Sequence, residues 1–435
     1  MNNNNRNNGQ SVRAVRASQH LPDHDSVCRL TQEALLADLR QAYFDARRHK
    51  RGKPYQQRFE AHWERNLEEL CNELWRREYS PRPSTCFIVR EPKQREVFAA
   101  DFRDRIVHHL YYNYTHPLYE RTFIADSYSC IAGRGTHYGI RRLERHIRQE
   151  SQGYTVPCWV MKMDIRGYFM HIDRHLLLGI CLDTLDRMAS HVVSRHSKRR
   201  WCEEVDLDFV RYLTEAIVML DPTAGCRIVG SRADWEGLPH DKSLFHSPPG
   251  CGLPIGNLTS QLFSNVYLGV LDQYMKRELG CHHYGRYVDD FYVVGADREW
   301  LLTLVPRVRT LLGERLHLEL HEGKLRLDSV WSGVEFLGAW LKPHRIYASH
   351  GCIGRVRRKL HALAQGDTAH WEPALNSYCG LLSHWNNYLL RRRLMKEDGG
   401  PFGRRGLFDL RVQRFRSLPV AVRPSVHSPS ASILP

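Results

Sequence analysis

The tetrad Tyr287-Val288-Asp289-Asp290 constrains this chain more than any other feature. Two adjacent carboxylates stand between strand-like apolar pieces at 284–288 and 291–294. Asp favours turns, so the segment predicts a tight hairpin with acids at its tip. A plain Asp-Asp turn gives the same pattern. A third acid, Asp164, ends a buried-strand run at 159–163 and is followed by Gly167. It fits a carboxylate projecting from a sheet into a cleft, and equally well a helix N-cap. Brought together by the fold, Asp164 and Asp289 could bind two Mg²⁺ ions, because hard cations take carboxylate oxygens. Two metals about 4 Å apart can activate an attacking hydroxyl and stabilise a leaving pyrophosphate.

The charge balance points the same way. Lys and Arg number 63 against 48 Asp and Glu, a net charge of +15. Such an excess suits a polyanion, nucleic acid first and an anionic membrane surface second; a merely soluble basic protein is the plain alternative. Hydrophobic residues at 42% and charged residues at 26% exclude a wholly disordered or collagen-like chain. No apolar run reaches the length of a membrane-spanning helix, and 1–6 has no signal-peptide core. The 12 cysteines are scattered without a C-x-x-C pair. That argues against a zinc module or a secreted disulfide framework, and for reduced, mostly buried thiols in a cytoplasmic protein.

Along the chain, 1–25 is rich in Asn, Arg and Ser and reads as a disordered leader. Helical periodicity runs from 31 to 79, and Asp101 opens a further helix. The stretch 174–250 is helical at first, then rich in Gly, Pro, Ser and His. Leu262 to Met275 form an amphipathic helix, another helix spans 300–312, and short strands lie near 318, 334–337 and 346. Residues 355–393 look helical and basic, and the end of the chain reads as a basic tail. Lys93, Arg95, Arg103 and Arg105 could neutralise a triphosphate, or simply form a solvated basic face. The loop Gly252-Leu253-Pro254-Ile255-Gly256-Asn257-Leu258-Thr259-Ser260-Gln261 could let backbone approach a ligand closely.

These pieces carry a resemblance. Asp164 with Phe169, the 252–261 loop, Tyr287–Asp290, Lys324 and Phe336-Leu337-Gly338 follow the order of reverse transcriptase palm motifs. Arg103 to His109, Asp126-Ser127-Tyr128 and Tyr284-Gly285-Arg286 strengthen it. From 85 to 390 the chain resembles bacterial reverse transcriptases of the group II intron-like lineage. The wording that ends in Ser260-Gln261 looks most like those of diversity-generating retroelements.

The resemblance implies an α+β right-hand polymerase of fingers, palm and thumb, with an antiparallel palm sheet backed by helices. Fingers with N-terminal helices would span 26–160 and the palm 161–345, with 174–250 inserted between its first two motifs. A helical thumb would span 346–395 and a basic disordered tail 396–435. The activity would be RNA-directed DNA synthesis from dNTPs. Asp164, Asp289 and Asp290 would be the catalytic carboxylates, holding two Mg²⁺ (or Mn²⁺) ions with the backbone carbonyl of Ile165. Phe169 matches the steric gate that favours dNTPs over rNTPs; a core Phe is the alternative. Lys93, Arg95 and Arg103 would hold the triphosphate, beside Gly256 and Gln261. Lys324 matches a proposed acid for pyrophosphate, or is a loop lysine. Phe336, Leu337 and Gly338 match the primer grip, although Phe336 reads equally as core. Arg105, Arg141, Arg145, Arg355 and Arg358 would contact template and primer through phosphates.

Ile255 departs from a common pattern in which Gln precedes this Gly. Removing a polar contact near the incoming nucleotide should weaken discrimination, which suits an error-prone enzyme. Implied partners are template RNA, the cDNA primer or product, dNTPs and a small basic accessory protein, with no membrane. The stretch after 355 reads as too short for an added RNase H domain. A phage-defence or retron enzyme, an intron maturase and a catalytically dead RNA-binding module stay open as alternatives.

Overall fold

The structure, a computed structural model, describes residues 28–48, 52–90, 93–193, 198–365, 371–394, 406–409 and 414–417. The leader expected at 1–25 lies outside them. So does the tail expected at 396–435, except for the strands Gly406–Asp409 and Arg414–Ser417, which pair antiparallel. The chain divides into two compact units. The first comprises residues to 122 with 174–238 and 253–263, and the second comprises 123–173, 239–252 and everything from 264. This division differs from the boundaries expected at 160 and 345. Most of the insertion expected at 174–250 packs with the N-terminal helices: Arg174–Met188 and Leu207–Val218 both contact Phe102–Glu120.

In the first unit, helices start where side chains cap them. Thr31 accepts from the Ala34 N–H at 3.2 Å at the start of Gln32–Arg47. Asp101 accepts from the Arg103 N–H at 3.0 Å to open Phe102–Glu120. Each cap satisfies an N–H that the first turn leaves unpaired. Leu35, Leu39, Ala42, Tyr43 and Ala46 recur at helical spacing and are buried. Tyr43 stacks on Trp63 with ring centroids 5.3 Å apart. The strands Thr85–Val89 and Arg95–Ala99 form an antiparallel hairpin, and Arg227–Ile228 adds to its outer side in parallel.

The second unit is built on a four-stranded antiparallel sheet. Its order is Tyr284–Tyr287, Asp290–Gly295, Trp159–Asp164, Arg326–Ser329. Both faces are covered. Val160, Tyr292 and Val294 pack with Ile140, Leu143 and Ile147 of helix Thr136–Glu150. Met161, Met163, Phe291 and Val293 point the other way and are also buried. Helix Arg298–Leu316 packs against these same two central strands. Apolar runs at both strands follow from this double burial. A meander of Val334–Phe336, Ala339–Lys342 and Arg345–Ala348 comes next. Helix His350–Gln365 then buries Cys352, Val356 and Leu360 against Leu382. No helix among the described residues is long and apolar enough to cross a membrane. The cysteines are free thiols, most of them buried.

Gly285 lies opposite Tyr292 on the edge strand. A Cβ there would overlap Tyr128 Oη and stand 2.6 Å from Tyr292 Oη. Those two hydroxyls share a 2.8 Å hydrogen bond in the core. Gly285→Ala must break that bond or push the strand outward, at a cost of about 3 kcal/mol. A urea midpoint unchanged by the substitution would contradict this packing.

Candidate active site

Asp164 closes the strand Trp159–Asp164, and its register partner across the sheet is Asp290. On its other edge the Asp164 carbonyl accepts from the His321 N–H at 2.8 Å. The Asp164–Asp290 pair is therefore a non-hydrogen-bonded one, in which opposed side chains share a face and approach most closely. Tyr287 and Asp290 close the hairpin, leaving Val288 and Asp289 as a two-residue turn. Val288 has a φ of 58°. A left-handed first turn residue is what a type II′ hairpin needs, and glycine normally supplies it. In a β-branched residue it is strained backbone. The turn thus sets Asp289 at the tip, next to the Asp164–Asp290 pair.

Ile165 forms a bridge to Leu320. That bridge is made by His321 to the Asp164 carbonyl and by Arg166 to the Glu319 carbonyl. It uses neither polar group of Ile165, so the Ile165 carbonyl faces the Asp290 side of the strand.

The electrostatics reflect this convergence. Burial and then the negative charges of Asp164 and Asp289 push the Asp290 carboxyl up to about 7, against the opposing pull of Lys162 and Lys324. Lys324 Nζ donates to Asp164 Oδ1 at 2.7 Å. It is carried on the single turn Glu322–Lys324, before the strand Arg326–Ser329. Among the described residues no three His, Cys, Asp or Glu side chains are arranged to hold a metal ion. The lysine supplies the counter-charge on Asp164 instead. The donor chemistry nevertheless fits hard divalent cations. The three acids offer carboxylate oxygens, and one, Asp290, is pushed up first by burial and then by the neighbouring negative charges, which a cation would offset.

A buried frame supports the turn, centred on Arg286, a motif residue to which the sequence assigned no role. Arg286 is fully buried and grips Asp272 with two bonds of 2.8 and 2.6 Å. Its third arm donates to the Val288 carbonyl at 2.9 Å. The Val288 N–H donates to Ser129 Oγ at 3.2 Å. Asn265 in turn donates to the Ser129 carbonyl at 2.8 Å. A lone arginine in an apolar strand was the available signal, since a buried cation requires a partner.

The other expected site residues fall in different places. Phe169 is half-buried on the short helix Tyr168–His171, edge-on to Tyr168. Arg141 and Arg145 are exposed on one helix face and line an open groove of about 590 Å³ with Arg148. Arg355 and Arg358 are exposed on helix His350–Gln365. Leu337, Gly338 and Arg355 line a cavity of about 240 Å³ with Trp385. Phe336 is a correction to the expected primer grip. It is 1% exposed and packs edge-on against Tyr292, so it is core.

Lys93, Arg95, Arg103, Arg105, Ile255, Gly256 and Gln261 belong to the first unit. Lys93 and Arg95 are exposed at the 85–99 hairpin, and Gln261 is exposed on its helix. The Ile255 carbonyl accepts from the Phe98 N–H at 3.1 Å. Gly256 has a φ of 121°, and a Cβ there would stand 2.9 Å from Val97 Cγ1. Arg103 corrects the expectation of a phosphate ligand. Arg103 is 5% exposed, ion-paired with Glu73 and stacked over Tyr79. Arg105 donates to the Ala100 carbonyl at 2.9 Å and to Tyr55 Oη at 3.0 Å. The Arg103 guanidinium is thus spent on holding the helix bundle, whereas Arg105 is half-buried.

No protein-family model matches the chain. Protein YkfC of Escherichia coli (strain K12) is 24% identical over 326 residues, covering 67% of this chain and 74% of that protein. Among solved structures, telomerase from Candida albicans in complex with a TWJ fragment of telomeric RNA is similar at a TM-score of 0.43. The identity there is 10%, over 75% of this chain and 57% of that one. Apo telomerase from Candida tropicalis, truncated from its C-terminal domain, is similar at 0.44 and 9% identity, over 66% and 60% of the two chains. The chain spans little more than half the length of these telomerase chains, and similarity at this level assigns neither a family nor an activity.

Proposed function

We propose that this chain is an RNA-directed DNA polymerase that copies an RNA template into cDNA, and that it serves as the error-prone polymerase of a diversity-generating retroelement. The observation that carries the polymerase reading is the placement of Asp164 opposite Asp290, with Asp289 at the adjoining turn. The retroelement role rests on the resemblance of the 252–261 loop alone.

In this reading the four-stranded sheet is the palm, the 85–99 hairpin belongs to the fingers, and the helices after 350 form the thumb. Asp164, Asp289, Asp290 and the Ile165 carbonyl would hold two Mg²⁺ ions. Bound there, the ions would supply activation of a primer 3′-hydroxyl and charge neutralisation on the triphosphate. The chain's own contribution is placement. The sheet register fixes two carboxylates and the strained turn fixes the third, so little reorganisation is needed when charge develops. With a cation held on Asp164, Lys324 would give up its bond to that carboxylate and could offer its ammonium to the leaving phosphates. Phe169 would screen the sugar of the incoming nucleotide. Exposed Arg141, Arg145, Arg355 and Arg358 would hold template and primer by their phosphates.

The test is primer extension on an RNA template with Mg²⁺ and dNTPs. The wild-type protein extends the primer, and Phe169→Ala raises ribonucleotide incorporation about tenfold. A folded protein that extends no primer on RNA refutes the polymerase reading.

A further inference from the structure

We infer that Arg286, locked by Asp272, is a positioning residue that holds the Val288–Asp289 turn in its strained conformation and so sets the Asp289 carboxylate. The inference rests on the reading of Asp289 as a cation ligand and extends it to residues that touch neither substrate nor cation.

Three observations converge. The first is strain. Val288 has a φ of 58°, where a β-branched side chain crowds its own backbone. Left alone, such a turn relaxes toward a more ordinary conformation, and its second residue moves with it. The second is that both peptide groups of Val288 are held from within the core. Arg286 donates to its carbonyl at 2.9 Å, and its N–H donates to Ser129 Oγ at 3.2 Å. The third is that the clamp is itself rigid. Arg286 and Asp272 are both buried and make two short bonds, 2.8 and 2.6 Å. Tyr284 Oη adds a bond of 2.7 Å to Asp272. A planar guanidinium engaged on two arms can aim the third without rotamer freedom. A lysine, with its donors on one nitrogen, lacks the planar fork that spans the carboxylate and the Val288 carbonyl together.

Helix Leu258–Gln273 carries Asp272, and strand Tyr284–Tyr287 carries Arg286 two residues before Val288. A buried ion pair is weak as a source of stability, because its desolvation cost offsets its attraction. Here it has a second task, which is orienting a neighbouring backbone carbonyl.

The test separates orientation from folding. The double variant Asp272→Leu/Arg286→Met replaces the ion pair with apolar side chains and leaves no unpaired buried charge. It is expected to fold with a near-native far-UV spectrum. Mn²⁺ binding, followed by EPR titration, weakens about tenfold or more. In primer extension kcat falls about 10²-fold, while KM for dNTP changes little. Adding Val288→Gly then restores most of both, because glycine adopts the left-handed turn without a clamp. A merely structural role for the pair predicts no such rescue. Wild-type Mn²⁺ binding in the folded double variant, or no recovery on adding Val288→Gly, overturns the inference. Should the double variant fail to fold, Ser129→Ala with and without Val288→Gly reads the amide side of the same clamp and is judged by the same two outcomes. If the wild type extends no primer, the polymerase reading fails by itself, and the loss and rescue of Mn²⁺ binding still decide the clamp.

Discussion

Asp289→Ala is expected to abolish RNA-templated extension, lowering the rate by about 10³-fold or more, while the protein melts at the same temperature or higher. The two halves of this result have different origins. Asp289 sits at a two-residue turn outside the sheet's apolar layers. Truncating it therefore removes no core packing, and the usual source of a large destabilisation is absent. The substitution does remove negative charge beside Asp290, whose carboxyl is pushed up by burial first and then by Asp164 and Asp289. Relief of that repulsion favours the folded state. The same charge is what a divalent cation would bind. A variant that folds better and catalyses nothing separates chemistry from stability within one substitution. Extension kinetics in Mg²⁺ with a thermal melt decide the matter, and undiminished extension by Asp289→Ala sinks the assignment of this carboxylate.

The acids were legible because strand ends and turns are marked by local patterns. Asp164 ends an apolar run, and Asp289 and Asp290 interrupt another. The sheet then pairs them as such boundaries allow. The basic residues were less legible for a physical reason. An arginine in sequence carries charge but not its burial. Arg103 and Arg286 both lie inside the fold, each neutralised by an acid distant in sequence, Glu73 and Asp272. Arg141, only one residue from the ion-paired Arg142, is exposed. Helix phase, which a single charge does not reveal, separates those two. Phe336 shows the converse. Its motif suggested a surface grip, yet strand alternation turns it inward while Leu337 and Gly338 take the turn. The insertion was visible as a compositional change at 174–250, but its partners were not. Only long-range packing decides that Arg227–Ile228 joins the 85–89 strand.

Asp290→Asn should stabilise the protein, and the margin should depend on pH in a way that identifies its cause. In the folded protein the Asp290 carboxyl sits at about 7, against an ordinary value of 3.8. The folded state therefore holds this proton more tightly than the unfolded state does. Its contribution to stability is complete below about pH 4 and is lost as pH rises to 7, with no further change above. The loss across that window is on the order of 4 kcal/mol. Asparagine is nearly isosteric and never ionises, so the variant escapes the penalty. Urea unfolding at pH 4, 6 and 8 is expected to show near-equal stabilities at the lowest pH and a widening advantage for the variant above it. Mg²⁺ should close the gap at pH 8 by stabilising the wild type, because a cation offsets the charge that burial and the two neighbouring acids make costly. The variant, with one anionic ligand fewer, should gain less. An advantage that stays constant from pH 4 to 8 would show that Asp290 is not the strained acid of the trio. A gap that Mg²⁺ leaves untouched would show that the carboxylates repel one another without serving a cation.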